Sequence, residues 1–255
     1  MSLILTEKRS HILVVTINRA EKRNAINLEM AEELEKVWNN FEKDDNLYVG
    51  IITGAGDNFC AGADLGDLER LATRVGSKNG PLGFTRMTLS KPVIASISGY
   101  CVAGGFEIAL WADIRIADES AKFGILNRRF GVPLIDGGTQ RLPKIVGLGN
   151  ALDLILTGKL IDAKEAHRIG LVNEIVPKGL ALKRALEIAE LISSHPQVPM
   201  RNDRKAVFEG FGLSLEDALE IEAKLGYESI RNGTDFLKVR RFIAEGKGKH
   251  GERLQ

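Results

Sequence analysis

The chain has few of the residues that would staple it together or bind a metal. Only two of its 255 residues are cysteine, Cys60 and Cys101, too few for a disulfide framework and without a CxxC or Cys/His spacing. Its four histidines, His11, His167, His195 and His250, are scattered, with no second ligand three or four positions further along the chain. Long hydrophobic runs are missing, and nothing approaches the ~20 apolar residues of a membrane span. The brief apolar run at 3–5 soon meets Glu7, Lys8 and Arg9, so no signal peptide is expected. Charge of one sign is not in excess either. Lys and Arg number 35 against 34 Asp and Glu, a net charge of +1 that gives no electrostatic case for nucleic acid or an acidic membrane. A reduced, cytoplasmic setting without a metal is the expectation.

What is present is a composition able to build a core. Hydrophobic residues make up 44% and charged residues 27%, which fits one large domain or a main domain with a smaller appendage. Twenty-seven glycines exceed the average share and point to tight turns and close backbone approaches.

The chain is organised around GYCVAGGFE at 99–107. The apolar run at 92–98 before it reads as a buried strand, and the apolar run at 106–112 after it as a buried helix. Gly104 and Gly105 permit a tight turn that leaves backbone N–H groups at a helix N-terminus, where developing negative charge is favoured. Glu107 lies in the first turn of that helix. Donors beside one acid suit enolate chemistry. A second glycine-rich turn at 54–64 echoes the first: each follows a β-rich run, carries a cysteine after an aromatic and reaches an Ala-Gly pair.

The remaining pattern is mixed α/β. A hairpin is expected from 3–6 and 12–17, a polar loop at 18–27, an amphipathic helix at 28–41 and a strand at 48–53. Residues 65–75 read as a helix, 76–83 as a mobile segment, and the run to Leu89 as a short helix. Strands are expected at 113–117, 121–123 and 171–176, a loop at 126–138, and helices at 139–146, 149–156 and 163–169. From 180 onward the pattern is helical, at 180–193, 200–208, 214–230 and 234–245, with Pro196 and Pro199 marking a break. The expected division is 1–195 and 196–255.

Seven pieces, NRAEKRNA at 18–25, FCAGADL at 59–65, SGYCVAGGFE at 98–107, ADIR at 112–115, FG at 123–124, GGTQRL at 137–142 and LTG at 156–158, occur in one order. In that order the chain resembles the enoyl-CoA hydratase/isomerase (crotonase) superfamily over about residues 3–178. The resemblance implies a crotonase-like spiral of ββα repeats with a C-terminal helical region that builds trimers or dimers of trimers. It implies an acyl-CoA thioester substrate and no cofactor beyond that coenzyme A. The amides of Ala63 and Gly104 would hold the thioester oxygen, as an enolate in a dry site requires. Lys22, Arg23, Ala25, Ala61, Asp64 and Leu65 would meet coenzyme A, with Phe242 and Lys247 contributed by the C-terminal helix.

Glu107 matches one of the two catalytic glutamates of the hydratases. The position of the other holds Asn127, which can orient water but cannot exchange a proton near neutral pH. Asp136 is a further candidate acid, since some relatives that shift double bonds carry an aspartate near this place; its alternative is to cap the helix that starts near Thr139. Hydration of a 2-enoyl-CoA is the nominal activity, with double-bond isomerisation second. Two other readings are a non-catalytic CoA-binding protein and a hydrolase or dehalogenase relative with a covalent acyl-carboxylate step. The two cysteines read as buried structural thiols.

Overall fold

The computed structural model describes residues 2–232 and 241–245. Its first sheet opens with β1 (Ile4–Arg9) and β2 (Ile12–Ile17), an antiparallel hairpin in which Ile4 faces Ile17. β1 buries only Ile4 and turns charged side chains to solvent, as an edge strand that resists further pairing does. From β2 onward the strands are parallel: β3 (Val49–Gly54), β4 (Val93–Ile97), β6 (Ile114–Asp118) and β9 (Glu174–Val176), in the order β1-β2-β3-β4-β6-β9. β4 is buried at all five positions, the mark of a parallel strand covered on both faces. The second sheet joins β5 (Tyr100–Val102), β7 (Lys122–Gly124) and β8 (Leu160–Asp162).

The helices are α1 (Leu28–Lys43), α2 (Leu68–Ala72), α3 (Gly104–Trp111), α4 (Gly138–Val146), α5 (Leu148–Thr157), α6 (Ala163–Arg168), α7 (Ala181–Ser193), α8 (Gln197–Gly210) and α9 (Leu215–Asn232). α1 starts where Asn27 accepts the Met30 N–H at 3.1 Å, and its buried face is Met30, Leu34, Trp38 and Phe41. α3 differs in kind. Every residue from Gly104 to Leu110 is buried, so this helix sits inside the core and carries Glu107 with it. Trp38 of α1 meets Trp111 of α3 at 5.0 Å between ring centres, and Phe84 meets Trp111 edge-on at 4.8 Å. The Trp111 indole N–H donates to the Met87 carbonyl at 2.9 Å, so α3 is anchored at its far end as well.

Several elements depart from the sequence reading. β5 and β8 were not expected, because three residues are too few to show a period. The helix expected over 65–75 is a single 3₁₀ turn, Leu65–Asp67, followed by the five residues of α2. The short helix expected between 84 and Leu89 does not form. Residues 73–90 run as turns, with Gly80 and Gly83 at positive φ; the Val75 and Ser77 carbonyls accept from the Arg86 guanidinium, and the Leu82 amide donates to the Asp136 carboxylate. The loop at 126–138 contains a 3₁₀ turn, Leu126–Phe130, and the strand expected over 171–176 spans only Glu174–Val176. Pro199 does not break a helix; it lies in the first turn of α8, where its missing N–H forfeits no intrahelical bond. Of the helix expected at 234–245, residues 234–240 lie outside the described residues, and 241–244 are helical.

The chain divides into two compact units, Met1–Ala189 and Glu190–Gln255, with the boundary inside α7. The first contains both sheets and the main core; α8 and α9 pack on each other in the second.

Candidate active site

The two glycine-rich turns are paired side by side. The Phe59 amide donates to the Ser98 carbonyl at 2.7 Å, the Cys60 amide to Tyr100 at 3.0 Å, and the Val102 amide back to Cys60 at 3.1 Å. On its other side the first turn is held by Ile26, whose amide donates to Gly62 and whose carbonyl accepts from Asp64, both at 2.8 Å. Ala63 lies between those two bonds, and its own N–H meets no acceptor among the described residues. The Gly104 N–H is likewise unspent, because the first residue of a helix has no intrahelical acceptor.

Backbone strain keeps these amides in place. Ala103, just before Gly104, has φ 52 and ψ −126, a conformation that costs a non-glycine residue on the order of 1–3 kcal/mol. Gly62 has φ 95, and a Cβ there would lie 2.6 Å from the Gly104 nitrogen, so only glycine lets the two turns approach this closely. Ala63 and Gly104 line one cavity of about 680 Å³ together with Glu107, Asn127 and Asp136. Leu71, Val75, Leu82, Val132 and Ile135 supply much of its apolar wall.

Glu107 is 1% exposed. Its Oε1 accepts the amides of Asp136 at 2.9 Å and Gly138 at 2.8 Å, and Oε2 has no protein partner among the described residues. Burial, followed by the nearby Asp136 carboxylate, pushes its pKa up to about 7, against the pull of the two amides and of Arg141. A carboxyl titrating there is matched to proton transfer near neutral pH.

Asp136 is also buried, but it does not cap α4. The cap position is Gly137, with no side-chain bond, and the Asp136 Oδ1 instead accepts the Leu82 amide at 3.1 Å and the Thr85 hydroxyl. The capping alternative is thereby replaced: Asp136 ties the 81–85 turn to the loop ahead of α4. Burial raises its pKa, opposed by those two hydrogen bonds and by Arg86 and Arg141. Asn127 donates through Nδ2 to the Pro133 carbonyl at 3.3 Å, which turns Oδ1 the other way, and that oxygen is buried without a partner among the described residues.

Of the expected coenzyme A residues, Arg23, Ala25, Ala61, Asp64 and Leu65 line the same cavity. Arg23 has φ 50 and its guanidinium lies 5.5 Å from the centre of the Tyr100 ring; Asp64 is engaged with Arg19 at 2.6 Å and with the Gly66 amide at 2.9 Å. Lys22 is exposed and is not among the cavity-lining residues. Phe242 belongs to the second unit and is half-buried, and Lys247 lies outside the described residues. Cys60 and Cys101 are buried neighbours across the paired turns; burial pushes the Cys60 thiol up to about 12 and Cys101 well above its ordinary value, which disfavours the nucleophilic thiolate in both. The sequence reading missed Thr85 and Arg86. Each acts on a residue about fifty positions away, and no local pattern marks them.

A sequence profile described as enoyl-CoA hydratase/isomerase matches residues 7–247. The chain belongs to that family. Among its relatives, a short-chain-enoyl-CoA hydratase of Clostridium acetobutylicum is 40% identical over 226 residues, covering 87% of each chain. A mevalonyl-coenzyme A hydratase of Aspergillus fumigatus is 37% identical, over 93% of this chain and 90% of that one. In three dimensions the chain is similar to the crystal structure of an enoyl-CoA hydratase of Mycobacterium marinum, with a TM-score of 0.90, 34% identity and 96% of each chain covered. An enoyl-CoA hydratase of Bacillus anthracis gives a TM-score of 0.89 and 34% identity, with 98% of this chain and 100% of that one covered. The mixed α/β architecture and helical C-terminal region are thus those of this family's solved structures.

Proposed function

We propose that the chain hydrates a 2-enoyl-CoA to a 3-hydroxyacyl-CoA. The observation that carries this reading is the meeting, in one apolar cavity, of two unspent amides and one carboxyl group with a free oxygen. The thioester oxygen sits against the amides of Ala63 and Gly104. A water is oriented by the Asn127 Oδ1 and gives its proton to Glu107 as its oxygen bonds to C3. The π electrons move toward the thioester oxygen, and the two amides stabilise the enolate. Glu107 then returns the proton to C2, so that water has been added and the carboxyl is restored. An oxyanion donor of this kind typically contributes on the order of a hundredfold or more in rate. Arg23 and the 61–65 backbone face the coenzyme A, which is the only cofactor-like group the reaction uses.

Double-bond isomerisation is the second reading. It is favoured by the absence of a proton-carrying group at Asn127 and by Asp136 being, beside Glu107, a second buried carboxyl lining the cavity. Incubation with crotonyl-CoA and with a 3-enoyl-CoA in ¹⁸O-labelled heavy water separates the two: hydration places ¹⁸O at C3, and isomerisation places deuterium on carbon without ¹⁸O. Glu107→Gln is expected to lower turnover by at least about a hundredfold. Unchanged turnover in that variant defeats both enzymatic readings and leaves a CoA-binding protein.

We also infer a homo-oligomer, a trimer or a dimer of trimers, working on fatty acyl-CoA in the cytoplasm. Exposed apolar side chains support the assembly, among them Leu148 and Leu156 on α5, Phe208 on α8 and Tyr227 on α9. Two unpaired buried thiols are consistent with a reducing compartment.

A further inference from the structure

We propose that Arg86 and Arg141 are positioning residues: Arg86, by holding the Ile135 carbonyl, aims the Asp136 amide that grips Glu107, and Arg141, by holding the Asp136 carbonyl, braces the loop between that amide and the Gly138 amide. The inference rests on Glu107 being the proton carrier. The peptide unit between Ile135 and Asp136 is used at both ends: its carbonyl accepts from the Arg86 Nη2 at 2.7 Å, and its N–H donates to the Glu107 Oε1 at 2.9 Å. Carbonyl and N–H point in opposite directions across a trans peptide, so the guanidinium on one side determines where the amide points on the other. The next carbonyl, that of Asp136, accepts from the Arg141 Nη1 at 3.1 Å, while Nη2 of the same arginine reaches the Thr85 carbonyl at 2.7 Å. Gly137 has no side chain where that guanidinium lies; a Cβ there would overlap Nη1.

Neither arginine touches the reacting atoms. Arg86 also holds the carbonyls of Val75 at 2.8 Å and Ser77 at 3.0 Å, and Val75 lines the cavity. One side chain therefore couples the cavity wall to the loop that orients the acid. The charged and titratable groups around Glu107 are Asp136 in the same loop and Arg141 on α4, with Arg86 acting on Asp136 from the 73–90 turns. Cys60 of the first glycine-rich turn also feels the Asp136 charge. The two amides and Arg141 favour the Glu107 carboxylate, so loosening the loop that carries the amides moves Glu107 toward its protonated form.

The test compares Arg86→Ala, Arg86→Lys, Arg141→Met and Arg141→Lys in the full-length protein. Glu107 is titrated by carboxyl ¹³C NMR, with Glu107→Gln identifying its resonance, and turnover of crotonyl-CoA is followed across pH. The expected result is a Glu107 midpoint raised by about half a unit or more in the Ala and Met variants. With it comes a ten- to hundredfold loss of kcat at little change in KM, and partial restoration in the Lys variants. Folded variants with an unmoved Glu107 midpoint overturn the proposal. Should the wild type hydrate nothing, the function reading fails while the titration still decides the positioning role. A variant that does not fold is replaced by Arg86→Gln or Arg141→Gln, whose unmoved midpoint and undiminished kcat are equally fatal.

Discussion

At the scale of single residues the chemistry depends on keeping one carboxyl dry. Glu107 titrates at about 7 in the folded chain, against roughly 4.3 when exposed to water, so between those values the folded state holds a proton that the unfolded state has released. Stability attributable to this group is therefore greatest at low pH and is lost as pH rises toward 7. Glu107→Gln, which keeps the shape without the charge, is expected to be more stable than wild type at pH 8 by up to about 3 kcal/mol, with the difference vanishing near pH 4.5. Urea denaturation at several pH values reads this directly, and a pH-independent difference contradicts the assigned burial. Gly62 is tested separately. Gly62→Ala places a methyl group against the Gly104 nitrogen, forcing the turns apart, and is expected to lower kcat about a hundredfold while crotonyl-CoA still binds. Wild-type kinetics in that variant would mean that turn spacing is irrelevant to catalysis.

Among the elements, α3 and the 3₁₀ turn Leu126–Phe130 divide the work. α3 is buried at seven successive positions and clamped by Trp38 and Phe84, so the carboxyl it carries has little freedom. The 3₁₀ turn presents Asn127, a hydrogen-bonding group without a transferable proton. Asn127→Glu is expected to raise 2-enoyl-CoA hydration on the order of tenfold or more by supplying a second acid–base group. No gain, with the variant folded, means either that Glu107 carries both proton transfers or that Asp136 carries one of them. Asp136→Asn separates these cases, because its amide can still accept the Leu82 N–H but carries no acid.

For the molecule as a whole, apolar surface is the physical issue. On α5, Leu148, Leu152 and Leu156 recur at four-residue intervals and are 65%, 43% and 72% exposed, an apolar stripe on one helix face. Light scattering after size-exclusion chromatography is expected to give the mass of a trimer or a hexamer, and Leu152→Glu with Leu156→Glu to shift it to a smaller species without loss of secondary structure. A wild-type mass of 27.9 kDa at all concentrations rules the assembly out.

By itself the sequence determined what is local or ordered along the chain. The amphipathic helix expected at 28–41, the apolar strands, the glycine-rich turns at 54–64 and 99–105 and the acid at 107 all announce themselves through spacing and residue type. The motifs in order were enough to place the family. Only the tertiary structure decided what depends on residues distant in sequence. It paired the two turns through Cys60 and Cys101, left the amides of Ala63 and Gly104 unspent, and turned Asp136 from a candidate cap into the tether of Leu82 and Thr85. It also replaced a helix expected before Leu89 with turns whose polar groups are satisfied by Arg86 and Asp136. The reason is physical. Helix and strand periods follow from neighbouring side chains, whereas a buried donor or acceptor takes whichever partner the folded chain brings within 3 Å, however many residues separate them.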